Sequence, residues 1–203
     1  VRRTELTDPV PWFSELNQSL FLLPFAVLPY AIRTLYYNYV SHELPGRCAL
    51  WGCLFVYTMA FGVCWIHFLR HLSKKYGYFH GARGRDTIPF SEVNKIAKEI
   101  LGALLLRSAM VVYSSYDPHT APSLSIWTPL QLFFFTLVDD FYYYWLHRVC
   151  HETESAWKLH RLHHTTKAPT LLLLGYAGDI QECFDLFLVP FATWLTFPIP
   201  FDA

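Results

Sequence analysis

The chain has 203 residues, of which 53% are hydrophobic, 18% aromatic and only 16% charged, against about 25% charged in an average soluble domain. This excludes a disordered chain, which would be apolar-poor and charge-rich, and leaves too few charges to cover an ordinary soluble globule. Sixteen basic and sixteen acidic residues cancel, so no bulk positive charge points to nucleic acid.

The apolar residues come in blocks. The first runs from Leu20 to Ile32, extends to Leu16–Tyr36, and contains Pro24, Pro29 and Arg33. The second, Ala49–Phe68, holds no Asp, Glu, Lys or Arg and has the length of about 20 residues that a bilayer crossing needs. The third, Ile100–Val112, is short and carries Arg107. The fourth, Ile126–Leu146, is apolar except for Gln131 and the pair Asp139-Asp140. The fifth, Leu171–Phe201, is broken by Gly175, Gly178, Asp179 and several prolines, so it is expected to turn back within the membrane or to cross with a kink.

The loops carry an independent signal. Arg2 and Arg3 precede the first block, and the loop 70–98 holds Arg70, Lys74, Lys75, Arg83, Arg85, Lys95 and Lys98. The stretch 147–167 adds Arg148, Lys158, Arg161 and Lys167. The connection 34–48 has only Arg47, and 114–125 has none. Positive and neutral loops alternate as an odd-even crossing pattern requires, which puts the N-terminus, loop 70–98 and the histidine-rich stretch on the cytoplasmic face. The expected fold is therefore all-α. It is an integral membrane bundle of about four transmembrane helices with a cytoplasmic histidine-rich helical cap. Residues 1–124 form the N-terminal membrane region and 125–203 a second functional part.

Five scattered cysteines, Cys48, Cys53, Cys64, Cys150 and Cys183, form neither a disulfide framework nor a CxxC zinc site. They read as buried small hydrophobes. Aromatic runs such as Phe133-Phe134-Phe135 and Tyr142-Tyr143-Tyr144-Trp145 suit lipid tails or the interface, and Tyr116, Trp127 and Trp145 suit interfacial belts. The glycines of 75–91 make no phosphate-binding fingerprint, because no strand precedes them. The chain opens on Val1 and closes on Phe201-Asp202-Ala203 directly after an apolar stretch, and the expectation is a piece of a longer protein.

Ten histidines occur, five of them between His147 and His164. His147 and His151 are spaced i, i+4 and share a helix face. His160, His163 and His164 are spaced i, i+3, i+4 and fall within about a 100° arc on a helix. Each group can aim imidazoles at a common point, and imidazole suits zinc, copper, iron and nickel. His67 and His71, also i, i+4, sit beside Arg70 and Lys74 and read instead as a polar helix end at the headgroups. HRVCH lacks the glutamate of the zinc-protease motif HExxH, and Cys150 reads as packing. Asp140 lies seven residues before His147, two turns up the same face, where it can accept the far ring N–H of a ligand histidine. The bland alternative is a helix end breaking the water surface.

The segment from Asp140 through His147 and His151, followed by Lys158-Leu-His160-Arg-Leu-His163-His164 and Pro169-Thr170, resembles the fatty acid hydroxylase superfamily, which includes sterol desaturases. That resemblance implies an endoplasmic-reticulum membrane enzyme with a histidine-ligated di-iron centre. His147 and His151 match its first histidine box, and His160, His163 and His164 its second. A third HxxHH box is absent from these 203 residues, and its expected place is beyond Ala203. Where many members carry a Tyr-Ala-His-Pro-type motif, Tyr176-Ala177 is followed here by Gly178-Asp179. The implied activity is iron- and O₂-dependent hydroxylation or desaturation of a sterol or fatty-acyl lipid. Electrons would come from NAD(P)H through cytochrome b5 or a reductase. The rival readings are a catalytically inactive lipid-binding or scaffold protein that keeps the fold, and a zinc or haem site on the same histidines.

Overall fold

The structure is a computed structural model that describes residues 14–76, 89–166, 176 and 178–202. Every regular element among them is helical. Helix α1 spans Glu15–Tyr39, α2 Arg47–Tyr76, α3 Val93–Ser115, α4 Thr128–Glu152 and α5 Glu154–His160. A last rod consists of α6 (Asp179–Cys183), a π-helical turn (Phe184–Leu188) and α7 (Val189–Thr196).

Helix α1 starts where Ser14 accepts a hydrogen bond from the Asn17 amide at 3.2 Å, satisfying one of the donors that a helix start leaves unpaired. It runs through Pro24 and Pro29 without interruption. Its side chains meet α2 through aromatic rings: Phe21 stacks on Phe68 at 5.0 Å, and Phe25 lies 5.3 Å from Phe61. Most of the remaining apolar residues of α1 face outward, including Leu16, Leu20, Leu23 and Ile32. In water that surface would be a liability; in lipid it is the ordinary outer face of a bundle.

Among the described residues, two helices are long and apolar enough to cross a membrane, α1 and α2. The sequence led us to expect about four. Helices α3 and α4 have the length, at 23 and 25 residues, but not the apolarity. Lys95, Lys98, Glu99 and Arg107 lie on α3, and Asp139, Asp140 and three tyrosines on α4.

Helix α2 packs against α3, and α4 against α7. Trp51 Nε1 donates to the Leu105 carbonyl at 3.1 Å. Trp194 Nε1 donates to Ser115 Oγ at 3.1 Å, and Thr193 Oγ1 to Asp139 Oδ1 at 3.0 Å. Asp139 therefore serves the α4–α7 contact rather than a water surface.

One end of the bundle is closed by a polar clamp. Arg33 forms an ion pair with Asp202, and both side chains are about nine-tenths buried. The same guanidinium donates to the Thr120 carbonyl at 3.2 Å and lies 5.1 Å from the Tyr116 and Phe201 rings. Asp202 also accepts from the Ser123 amide at 3.0 Å. Tyr116, expected at an interfacial belt, is instead 2% exposed and belongs to the small core with Leu44 and Val112. Its hydroxyl donates to the Pro45 carbonyl at 2.6 Å, so its polar tip is satisfied without water. Trp127 and Trp145 are exposed, as belt residues should be.

The cysteines also differ from expectation. Only Cys150 is buried; Cys48, Cys53, Cys64 and Cys183 are exposed, and all five are free thiols. Three of the exposed ones lie on α2, an apolar helix with no buried residue, so residue type did not distinguish inside from outside. The glycine-containing loop 77–88 and residues 167–175 lie outside the described residues.

Candidate metal centre

Helix α4 is about 37 Å long at 1.5 Å per residue, so its histidine end is far from the Arg33–Asp202 clamp. It stops at Glu152, and one extended residue, Thr153 (φ −115°, ψ 124°), separates it from α5. That break folds α5 back onto α4 and brings the two histidine groups face to face.

Four imidazoles converge there. The ligand atoms of His147, His151, His160 and His164 all lie within 4.8 Å of one another. His147 Nε2 is 3.1 Å from His151 Nε2, and His160 Nε2 is 2.8 Å from His164 Nε2. With metal–nitrogen bonds of about 2.0–2.1 Å, ligand nitrogens stand roughly 3.3–4.2 Å apart around one ion, so small ring movements close the site. Without an ion, each close pair can share only one proton between two nitrogens; a cation satisfies all four at once. Nδ1 of His147 is buried with no hydrogen-bond partner, a rare state for which an ion or water at the site is one physical explanation. These residues fit a metal ion.

The electrostatics agree. His160 is 2% exposed. Burial first, and then repulsion by His147 and His164, hold its ring down to about 4. Burial and the neighbouring histidines also lower His164. Both rings are thus neutral at pH 7, the form a metal requires. The sign follows directly. Because the folded value of His160 lies below the unfolded one of about 6.5, protons compete only as pH falls from there through about 4. Metal-loaded protein is expected to keep its ion between about pH 8 and about pH 6 and to lose it toward about pH 4, as metal analysis after dialysis would show.

His163, the fifth predicted ligand, is not one of the four whose ligand atoms converge. Its ring centre is nevertheless 5.9 Å from that of His160 and 5.5 Å from that of His164, no farther than the 6.2 Å between His147 and His164. The i, i+3, i+4 argument assumed an unbroken α-helix. Helix α5 ends at His160, and His163–Thr165 form a 3₁₀ turn, so that spacing does not hold there. Asp140 is exposed and does not bond to Nδ1 of His147, which has no partner. The expected hydrogen bond between them is not formed. Cys150 is packed, as read from sequence, but its thiol donates to Gln181 Oε1 at 3.5 Å. His67 and His71 join no metal-holding group among the described residues.

Sequence reasoning missed the helix facing this cluster. Gln181 and Glu182 are 3% and 6% exposed, and Gln181 Nε2 donates to Asp185 Oδ2 at 2.7 Å. A polar triplet inside an apolar block was the available signal. Gly178 starts this helix, and a Cβ there would lie 3.1 Å from the Leu159 carbonyl oxygen. Its lack of a side chain lets α6 approach α5 closely.

The fold and this site define a class: all-helical chains with long apolar helices and a histidine-lined candidate metal centre at one end. Residues 132–203 match the fatty acid hydroxylase family model, a span that includes all four converging histidines. The chain is also 31% identical over 209 residues to the fatty acid hydroxylase vlmA of Lecanicillium sp., across 92% of its own length and 55% of the relative's. Residues 132–203 thus carry a fatty acid hydroxylase domain by sequence, and the likeness to a curated fatty acid hydroxylase extends over most of the chain. The chain spans about half the length of that curated relative. No solved structure matches it significantly.

Proposed function

We propose that this chain is part of an iron-dependent membrane enzyme that uses O₂ to hydroxylate or desaturate a sterol or fatty-acyl lipid. The observation that carries the reading is the convergence of His147, His151, His160 and His164. It is supported by the family match and by the name of the relative, a fatty acid hydroxylase. Iron supplies the oxidising chemistry when bound. The four imidazoles would hold it, with His163 beside them as a ligand to a second iron completed by histidines elsewhere in the full protein.

The protein's own contribution is placement. Trp157 lies 5.4 Å from His151 and 5.6 Å from His164, and Tyr143 lies 5.6 Å from His147. These rings flank a cluster whose His151 and His164 remain exposed. The outward-facing Phe141, Tyr144 and Trp145 of α4 suit contact with a lipid tail entering from the bilayer side. We read residues 125–203 as the hydroxylase part and 1–124 as membrane region, with α3 and α4 completing about four crossings. The histidines would face the cytoplasm from the endoplasmic reticulum, where cytochrome b5 or a reductase would deliver electrons from NAD(P)H.

The test is metal analysis of the purified full-length protein, together with lipid oxidation in its membranes. About two irons per chain and O₂-dependent loss of a lipid C–H bond are expected. Zinc or haem in place of iron, or iron-free protein with no oxidised lipid, would sink the reading; the second result favours the scaffold alternative.

A further inference from the structure

Four neutral imidazoles bring no negative charge. A divalent cation among them would lie between the exposed His151 and His164 on its outer side and His160, 2% exposed, on its inner side, and on that inner side an uncompensated charge is costly. The nearby acids on the outer surface are already engaged. Glu152 pairs with Arg148 at 2.7 Å, and Glu154 with Lys158 at 3.0 Å.

Asp185 stands on the inner side. It lies on the π-helical turn Phe184–Leu188, a rare distortion that recurs at functional sites. Burial raises its carboxyl above the usual carboxylate range, and the nearby His147 and His163 lower it in part. Its geometric link to α4 runs through Gln181, which meets Cys150, three residues beyond His147 on that helix. Gln181 holds it by the 2.7 Å hydrogen bond and is itself tied to α4 through Cys150 at 3.5 Å. One chain of contacts thus runs from α4 through Gln181 to Asp185. The carboxylate makes no ion pair within 4.0 Å of a described histidine and is not one of the converging ligand groups.

We propose that Asp185 is the charge-compensating carboxylate of the metal centre, a positioning residue that raises metal affinity without ligating the ion. The inference rests on the metal-centre reading above. It assigns a role to a residue outside both histidine groups.

The test is a Co(II) titration of the purified full-length protein in detergent, comparing wild type with Asp185→Asn and Asp185→Glu. Carboxylates behind metal ligands are typically worth about 10–100-fold in affinity. Asp185→Asn is expected to weaken Co(II) binding within that range, with the Co(II) absorption bands unmoved and the metal-free melting temperature unchanged. Asp185→Glu should restore most of the loss. Wild-type affinity in Asp185→Asn would overturn the inference while leaving the metal reading intact. Shifted bands would make Asp185 a ligand and overturn the positioning role. An affinity loss that tracks a lower metal-free melting temperature, without rescue by glutamate, would reduce it to a packing residue. If wild type binds no Co(II), the metal reading falls and the inference with it.

Discussion

His160→Ala is expected to lower metal affinity of the full-length protein by roughly 100-fold or more, since even groups behind a ligand are worth about 10–100-fold. His160 has the most buried ring of the four, it ends α5, and its Nε2 pairs with that of His164. Its loss removes one ligand and leaves His164 without its neighbour. Lipid oxidation should fall to background in the same preparation. His67→Ala on α2 is the control, because that exposed histidine joins no such group among the described residues. Equal metal content in the two variants would show that the cluster does not hold the ion. The apo proteins should be compared by melting, so that a packing loss from a buried alanine is not mistaken for a lost ligand.

Arg33→Ala should have the largest effect on stability. It strands the Asp202 carboxylate, which is about nine-tenths buried, and breaking one side of a buried pair costs about 3–5 kcal/mol. It also removes a cation packed on the Tyr116 and Phe201 rings and a donor to the Thr120 carbonyl. The paired change Arg33→Met with Asp202→Leu should cost much less, because no charge is left buried. Denaturant unfolding in detergent measures both. Because the clamp lies at the other end of α4, Arg33→Ala protein that remains folded should bind metal normally. Equal losses for the single and paired variants would show that the Asp202 charge is not what the arginine stabilises.

The two histidine groups and the apolar blocks were legible because each depends on local periodicity. Spacing of i, i+4 places His147 beside His151 whatever the rest of the chain does. Other features depended on distant residues and were not legible. Arg33 looked like a blemish in an apolar block until Asp202 was found against it, 169 positions away. Asp139 looked like a helix end at water until Thr193 met it. Asp185 lay unread in the fifth block because it sits on a π turn that no sequence period announces, held there by Gln181 of α6.

By itself, the sequence determined an all-helical chain rich in lipid-facing surface, with histidines in ligand spacing. Composition and helical period act over a few residues and need no partner. Only the tertiary structure decided which of those histidines share one point. The single extended residue Thr153 reverses the chain and sets α5 against α4, and His163 falls in the 3₁₀ turn after α5, outside the four whose ligand atoms converge. Convergence is a property of two helices and the break between them, and one residue's backbone angles set it.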